Sequence, residues 1–301
     1  MTTALTGATG FVGRHIADEL AADRDLRCWH RPSSDRDGFA RADRIAWVEG
    51  DLCDPAAADA LLEGCDEVVH AALHHPGGGF RGGEGDLVEF AEANVLGTLR
   101  LMRAAQERGV RRFVFVSTCA VHEKILDDRP LDETHPLWPK SHYGAHKAAL
   151  EAFVHSFGLG GGMPVCAVRP TGVYGVNRPA EQSKWFDLVR DVAAGRRVEV
   201  SGGGKEVHAA DVARACRVLL EADEDAVRGE SFACYDRYVS RREVAEAARE
   251  LSGSDAEIVG EAPAPKHRIE TGKLRALGMQ FGGEGRLRET VRGLLDAAAS
   301  A

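Results

Sequence analysis

Residues 3 to 20 read TALTGATGFVGRHIADEL. TALT (3 to 6) has the length and composition of a strand, and FVGRHIADELAA (11 to 22) repeats its apolar residues three and four apart, as an amphipathic helix does. Gly7, Gly10 and Gly13 occupy the junction in a G-x-x-G-x-x-G spacing. Each has its own use there: Gly7 permits a tight turn, Gly10 lets backbone N–H groups approach a pyrophosphate, and Gly13 lets the helix pack close to the strand. The unpaired N–H groups at the helix start then face an anion. The alternative is a strand-to-helix turn that holds no ligand.

Outward from this unit the same alternation continues. LRCWH (26 to 30), IAWVE (45 to 49), EVVHAA (67 to 72), RRFVFVS (111 to 117) and PVCAVR (164 to 169) read as strands. AAADALLE (56 to 63), LVEFAEANVLGTLRLMRAAQERG (87 to 109) and HYGAHKAALEAFVHSFG (142 to 158) read as helices. Strands alternating with helices predict an α/β chain: a Rossmann-type, doubly wound parallel sheet with its ligand at the carboxyl ends of the strands. The dinucleotide-binding domain is expected over 1–172, with 205–225 returning to it, and a smaller, mainly helical substrate-binding region over 173–301. Two Gly-rich stretches, PGGGFRGGEGD (76 to 86) and GLGGGMP (158 to 164), interrupt the pattern. The first follows a strand end, where it either meets substrate or only links elements.

Composition narrows the partners. Of 301 residues, 38 are Lys or Arg and 47 Asp or Glu, giving a net charge of −9 with no basic block, which argues against nucleic acid. Seven scattered cysteines without a C-x-x-C pair suit free thiols in a reducing cytoplasm. No apolar run approaches the ~18 residues of a membrane span, and the N-terminal segment lacks the marks of a signal peptide, so neither is expected.

The residue ending the second strand, roughly 20 positions past the glycines, selects between a ribose 2′-OH, bound by an acid, and a 2′-phosphate, accommodated by Arg. Arg31 stands there, with Ser33, Ser34 and Arg36 following. NADP(H) is therefore favoured over NAD(H). Arg31 stacked on the adenine of an NAD, or left as a solvated charge, is the other reading.

TGATGFVG (6 to 13), EGDLCD (49 to 54), VVHAA (68 to 72), ANVLGT (93 to 98), VFVSTCAVHE (114 to 123), YGAHK (143 to 147), VRPTGVYG (168 to 175), VHAADVARA (207 to 215) and ETGKLRALG (270 to 278) follow one another in this order. In them the chain resembles the extended short-chain dehydrogenase/reductase superfamily, in particular its NAD-dependent epimerase/dehydratase family. The resemblance implies cofactor contacts from Thr9, Phe11, Val12 and Ser117, with Asp51 and Leu52 flanking the adenine and Ala71 and Ala72 lining the cofactor path. It further implies that Asn94 supports the active-site backbone, that Pro170 and Val173 border the nicotinamide, that His208 and Asp211 are structural, and that two copies pair as a homodimer.

Chemistry agrees with the resemblance at the catalytic pair. Tyr143 and Lys147 lie four apart on one helix face. A phenol titrates near pH 10, and a neighbouring ammonium favours its phenolate, making it able to exchange a proton with a substrate hydroxyl while hydride moves at the nicotinamide. By the family pattern Lys147 also holds the nicotinamide ribose, and Thr118 takes the place of the catalytic Ser or Thr, its hydroxyl polarising the carbon that accepts hydride. Dehydratases of the family carry Asp-Glu directly after that residue. Here Cys119 and Ala120 stand there, so dehydration is disfavoured. His122 and Glu123 replace the usual Tyr-Gly; His74, Cys119 and His122 are candidate substrate contacts, with a structural His122 as the alternative. The run Gly-Gly-Gly-Lys-Glu (202 to 206) lacks the Arg of the usual diphosphate clamp, leaving Lys205 or Arg178 to replace it in part. Four histidines (74, 75, 142, 146) do not make a metal site, since two adjoin in a loop and hydride transfer needs no metal.

The expected function is thus NAD(P)-dependent hydride transfer at a carbinol or carbonyl carbon of a sugar-like small molecule. Reduction of a non-sugar aldehyde or ketone is the alternative, as is a noncatalytic dinucleotide sensor or scaffold, against which the presence of both Tyr143 and Lys147 argues.

Overall fold

The computed structural model describes residues 1–77, 82–262 and 264–300. In chain order the elements are β1 (Thr2–Thr6), α1 (Phe11–Leu20), β2 (Asp25–His30), β3 (Ile45–Glu49), α2 (Ala57–Leu62), β4 (Glu67–His70), α3 (Leu87–Ala91), α4 (Gly97–Glu107), β5 (Arg112–Val116), α5 (His142–Leu159) and β6 (Val165–Pro170). Then come β7 (Gly172–Tyr174), α6 (Phe186–Ala193), β8 (Val198–Glu199), β9 (Gly203–His208), α7 (Ala209–Glu221), α8 (Glu224–Val227), β10 (Ser231–Cys234), β11 (Arg237–Ser240), α9 (Arg241–Ser252), β12 (Ile258–Val259), α10 (Gly272–Ala276) and α11 (Gly283–Ser300). The chain forms two compact units: Met1–Pro170 with Val212–Cys234 and Ile269–Met279, and Thr171–Asp211 with Tyr235–Arg268 and Gln280–Ala301.

The first unit holds a seven-stranded parallel sheet in the order β10-β6-β5-β4-β1-β2-β3. Its inner strands are apolar on both sides because helices cover both faces. Leu61, Leu101, Leu150 and Val154 from α2, α4 and α5 share one core with Val68, Phe113 and Val165 from the strands. β1 lies between β2 and β4, paired through Leu5 with both Cys28 and Val69. The winding direction reverses here, which opens a crevice at the strand carboxyl ends.

Main chain walls this crevice. Gly7 has φ +74°, and a Cβ on it would meet the carbonyl carbon of Ala71 and the nitrogen of Ala72 at 2.7 Å. A Cβ on Gly13 would stand 1.9 Å from the Gly7 carbonyl oxygen. Any side chain at either position would force β1, α1 and the end of β4 apart.

The single helix expected over 87–109 is two helices joined by a widened, π-helical turn at Glu92–Leu96. Just beyond that turn Gly97 touches the segment after β3, where a Cβ would come within 2.4 Å of the Leu52 carbonyl oxygen. β10, unforeseen in the sequence, adds the last strand at the β6 edge.

The second unit packs α6, α9 and α11 around Val189, Val192, Val244, Ala248, Leu287 and Val291. It also carries strands the periodicity did not reveal, a three-stranded sheet β11-β9-β7 and the pair β12-β8. Among the described residues no helix is long and apolar enough to cross a membrane, and no disulfide joins any of the seven cysteines.

Candidate active site

At the switch point a cavity of about 320 Å³ is lined by Gly7, Thr9, Gly10, Phe11, Val12 and Gly13, by Arg31 and Ser34, by Asp51 and Leu52, and by Ala71, Ala72 and His74. Gly10 precedes α1 in extended conformation and donates its N–H to the Gly7 carbonyl (3.0 Å). The first amides of α1, at Phe11, Val12 and Gly13, have no carbonyl to bond within the helix and carry the positive end of its dipole. Arg31 and Ser34 form a tight turn, with the Ser34 hydroxyl accepting the Arg31 N–H (3.0 Å) and the Arg31 carbonyl accepting the Ser34 N–H (2.9 Å). Arg14 fixes the following loop by donating to the Asp35 and Asp37 carbonyls (2.6 and 2.7 Å) and lying over the Phe39 ring. Backbone donors at one end and a guanidinium at the other suit an elongated anion with two phosphate groups.

A buried chain of hydrogen bonds sets the far wall of the cavity. Ala72 N–H donates to the Thr6 hydroxyl (3.1 Å), which donates to His70 Nδ1 (2.6 Å). His70 Nε2 donates to the Thr98 hydroxyl (2.8 Å), which in turn donates to the Asn94 carbonyl (2.6 Å). The Thr98 bond to Asn94 places a proton on His70 Nε2, and burial, which lowers the His70 pKa to about 3, keeps the ring neutral so that Nδ1 accepts from Thr6. Asn94 clamps the backbone of His74 from both sides: its Oδ1 accepts the His74 N–H and its Nδ2 donates to the His74 carbonyl, each at 2.8 Å. The open π turn leaves the Asn94 amide free of its own helix apart from a bond to the Phe90 carbonyl (3.0 Å).

The turn that follows β5 packs against the start of α5. Thr118 caps the short turn Cys119–His122, its Oγ1 accepting the Ala120 N–H (3.1 Å) while keeping a proton to donate. Glu123 accepts the backbone N–H (2.7 Å) and hydroxyl (3.0 Å) of Ser141, and Ser141 caps α5 by accepting the Gly144 N–H. An acid at this end also suits the helix dipole. Gly144 makes the approach possible, because a Cβ there would stand 2.7 Å from the Ala120 carbonyl oxygen. Tyr143 and Lys147 are both buried on α5. Lys147 donates to the Val116 carbonyl (2.8 Å) and lies 4.5 Å from the centre of the Phe115 ring, which stacks on His70. Burial brings its pKa down to about 7. The Tyr143 ring meets His146 at 5.4 Å, and His146 meets Phe90 at 5.0 Å, so α5 reaches the segment that clamps His74.

Behind this surface sits a buried charge cluster that sequence reading missed. Arg169 pairs with Glu151 (2.5 Å), both almost without solvent exposure. Glu151 also accepts the hydroxyls of Ser117 and Ser231. Arg169 donates through Nη1 to His122 Nε2 (3.1 Å), and His122 Nδ1 donates to the Pro136 carbonyl (3.3 Å).

These contacts sort the expected site residues. The hydroxyl of Ser117 is committed to Glu151, so it has no proton for a cofactor. Both ring nitrogens of His122 are engaged and the Cys119 thiol donates to the Arg169 carbonyl (3.0 Å), so neither turns a polar group to substrate. The His74 ring, in the cavity wall, lies beside the Cys53 sulfur (3.7 Å). Pro170 ends β6 in the first unit and Val173 is the middle residue of β7 in the second. Residues 78–81 of the glycine loop, within the stretch read as either meeting substrate or only linking elements, lie outside the described residues. No group of three or more His, Cys, Asp or Glu among the described residues is placed to hold a metal. Glu123 stands out in the sequence only as a departure from the family's Tyr-Gly, and Glu151 only as a charge on a helix.

Three buried histidines give the fold an acid limit. Burial lowers His70 and His146 to about 3 and His122 to about 4, against an ordinary 6.5. Below 6.5 the unfolded chain therefore binds protons that the folded chain refuses. Stability falls with pH down to the folded values, by about 1.4 kcal/mol per histidine per pH unit. The urea midpoint is expected to drop steeply between pH 6.5 and 5 and to depend less on pH in His146→Gln; a flat midpoint would contradict this assignment.

A parallel sheet whose switch point is a glycine-walled crevice, with a Tyr-x-x-x-Lys helix beside the next strand end, defines a Rossmann-type protein of the extended short-chain dehydrogenase/reductase class. The model of the NAD dependent epimerase/dehydratase family matches residues 3–234, and the chain belongs to that family. It is 30% identical over 305 residues to a trifunctional UDP-glucose 4,6-dehydratase/UDP-4-keto-6-deoxy-D-glucose 3,5-epimerase/UDP-4-keto-L-rhamnose-reductase of Arabidopsis thaliana, covering 92% of this chain and 44% of that protein. The chain spans less than two thirds of the length of each of the first curated relatives it matches. Its fold is that of the Thermus thermophilus UDP-glucose 4-epimerase in complex with NAD (TM-score 0.76, 24% identity, 98% of this chain and 99% of that one). RMD from Pseudomonas aeruginosa complexed with NADPH shares it too (TM-score 0.76, 22% identity, 100% and 99%).

Proposed function

We propose that this protein is an NADP(H)-preferring oxidoreductase or epimerase acting on a carbohydrate-derived alcohol or ketone. The observation that carries the reading is the joint placement, on the buried face of one helix packed against the turn after Thr118, of Tyr143 and a Lys147 tethered to the end of β5. The cavity fits the cofactor: its glycines leave main-chain donors for a pyrophosphate, and Arg31 and Ser34 stand at the ribose end. When bound, the dinucleotide supplies the acceptor or donor of hydride. Thr118 donates a hydrogen bond to the substrate oxygen and holds it toward Tyr143. Tyr143 takes the hydroxyl proton as an alcohol is oxidised and returns it as a carbonyl is reduced. Lys147, when protonated, favours the phenolate. Cys119 and Ala120 offer neither the acid nor the base that removing water requires, so the chemistry stops at hydride transfer or continues to its return on the other face.

The relatives' sugar-nucleotide names support a sugar-like substrate. Exposed Val88, Leu96 and Phe153 on the α3–α5 segment support a homodimer, to be checked by light scattering on the eluted protein. Incubation with each dinucleotide and a panel of sugars, sugar acids and simple ketones, followed at the nicotinamide absorbance, tests the reaction; absence of turnover and of dinucleotide affinity together would defeat the reading.

Arg31 tests the cofactor preference separately. A charge-assisted hydrogen bond to a 2′-phosphate contributes about 1.5–3 kcal/mol. Arg31→Ala is therefore expected to weaken NADPH binding by roughly ten- to a hundredfold while leaving NADH within about threefold, read as two dissociation constants. Tighter binding of NADH than of NADPH by the unaltered protein would refute this role.

A further inference from the structure

At the edge of the same sheet away from the glycine crevice, where β4, β5 and β6 begin, a second cavity of about 400 Å³ opens. Arg111, Arg112 and Arg228, Glu67 and Glu224, and the Gly161–Pro164 segment contribute to its lining. The charges there do not cancel. Glu67 accepts hydrogen bonds from Arg24 (3.2 Å) and Arg111 (3.0 Å), and Glu224 pairs with Arg228 one helical turn away. Arg112 is left over. It is 7% exposed, forms no ion pair among the described residues, and makes one hydrogen bond, from Nη2 to the Ala222 carbonyl at the end of α7 (2.9 Å). Its Nε and Nη1 are sealed from solvent with no partner among the described residues. Capping α7 explains one nitrogen and leaves the other two without a hydrogen-bond partner among the described residues, with Glu67 acting on the charge only at a distance.

A buried guanidinium is retained where an anion answers it, because burial without one disfavours the charged form. Burial does lower Arg112, against the opposing pull of Cys166 and Glu67, while Arg111 and Arg228 push the same way as burial. We propose that this cavity is a binding site for a phosphate group, distinct from the dinucleotide crevice, in which Arg112 supplies the charge of the wall. Planar guanidinium donors match the oxygens of a phosphate, and Arg111 and Arg228, 56% and 28% exposed, form a rim able to move aside as it enters. The volume exceeds that of phosphate alone and leaves space for a small organic part, so inorganic phosphate and a phosphomonoester are the two sources of the same chemistry.

The test is calorimetric titration of the full chain, at constant ionic strength and with saturating NADPH so that the glycine turn is already filled. Inorganic phosphate and ribose 5-phosphate serve as separate probes. The expected result is saturable binding of at least one of them, weakened tenfold or more in Arg112→Gln, with the tighter probe identifying the source. Should Arg112→Gln fail to fold, Arg228→Gln on the rim is expected to weaken binding at least threefold. No saturable binding, or equal affinity in the wild type and the folded variant, overturns the proposal.

Discussion

Tyr143→Phe is expected to lower turnover by roughly 10²- to 10⁴-fold, the usual contribution of a positioned acid–base group, while the dissociation constant for dinucleotide stays within about threefold. The change removes one oxygen from a buried residue at the start of α5 and leaves the ring, its contact with His146 and the Ser141 cap in place. Helix and cavity should therefore persist. The discriminating measurement is the split between the two quantities. Full turnover in Tyr143→Phe would remove Tyr143 from the chemistry even with the fold intact, and a parallel loss of dinucleotide binding would mean that the substitution had disturbed the seat and not the proton transfer.

Removing one partner of the Arg169–Glu151 pair is expected to be the most damaging substitution for stability. Glu151→Leu leaves a guanidinium inside the protein whose remaining hydrogen-bond partners among the described residues are His122 and the Glu133 carbonyl, with no second ion pair. Breaking such a pair destabilises by about 3–5 kcal/mol, enough to lower the melting temperature by roughly ten degrees in a chain of this size. The double change Glu151→Leu with Arg169→Met removes both charges and should recover part of the loss, since an apolar pair of similar volume needs no compensation. A double variant less stable than the single one would show that Arg169 is held chiefly by its other contacts.

Strands β1 to β6 stand where the sequence places them because each is a short, largely apolar run between polar turns. The run survives whatever the neighbouring strand is. β10 was invisible because SFAC is four residues with one large apolar side chain, recognisable as a strand only once β6 is beside it. The strands of the second unit span two to six residues, and β9 opens on two glycines, so no period develops. Local chemistry likewise made the glycine turn, Arg31 and the Tyr143–Lys147 spacing readable, whereas Thr118 was singled out by the family pattern alone. The partners of Glu151 lie 18, 34 and 80 residues away, and spacing along the chain carries no trace of such meetings. His122 misleads for the same reason: its position near a strand end suggests an open ligand contact, whereas Arg169 from the adjoining strand occupies it.

The main-chain walls of the crevice at Gly7, Gly13 and Ala71 bear on how such a protein diversifies. A seat shaped by backbone is insensitive to side-chain drift around it, and the glycines that form it admit no substitution that preserves the fold. Variation is thereby steered away from the glycine turn. A lineage can then exchange one small molecule for another while the machinery that moves the electrons passes unaltered from ancestor to descendant.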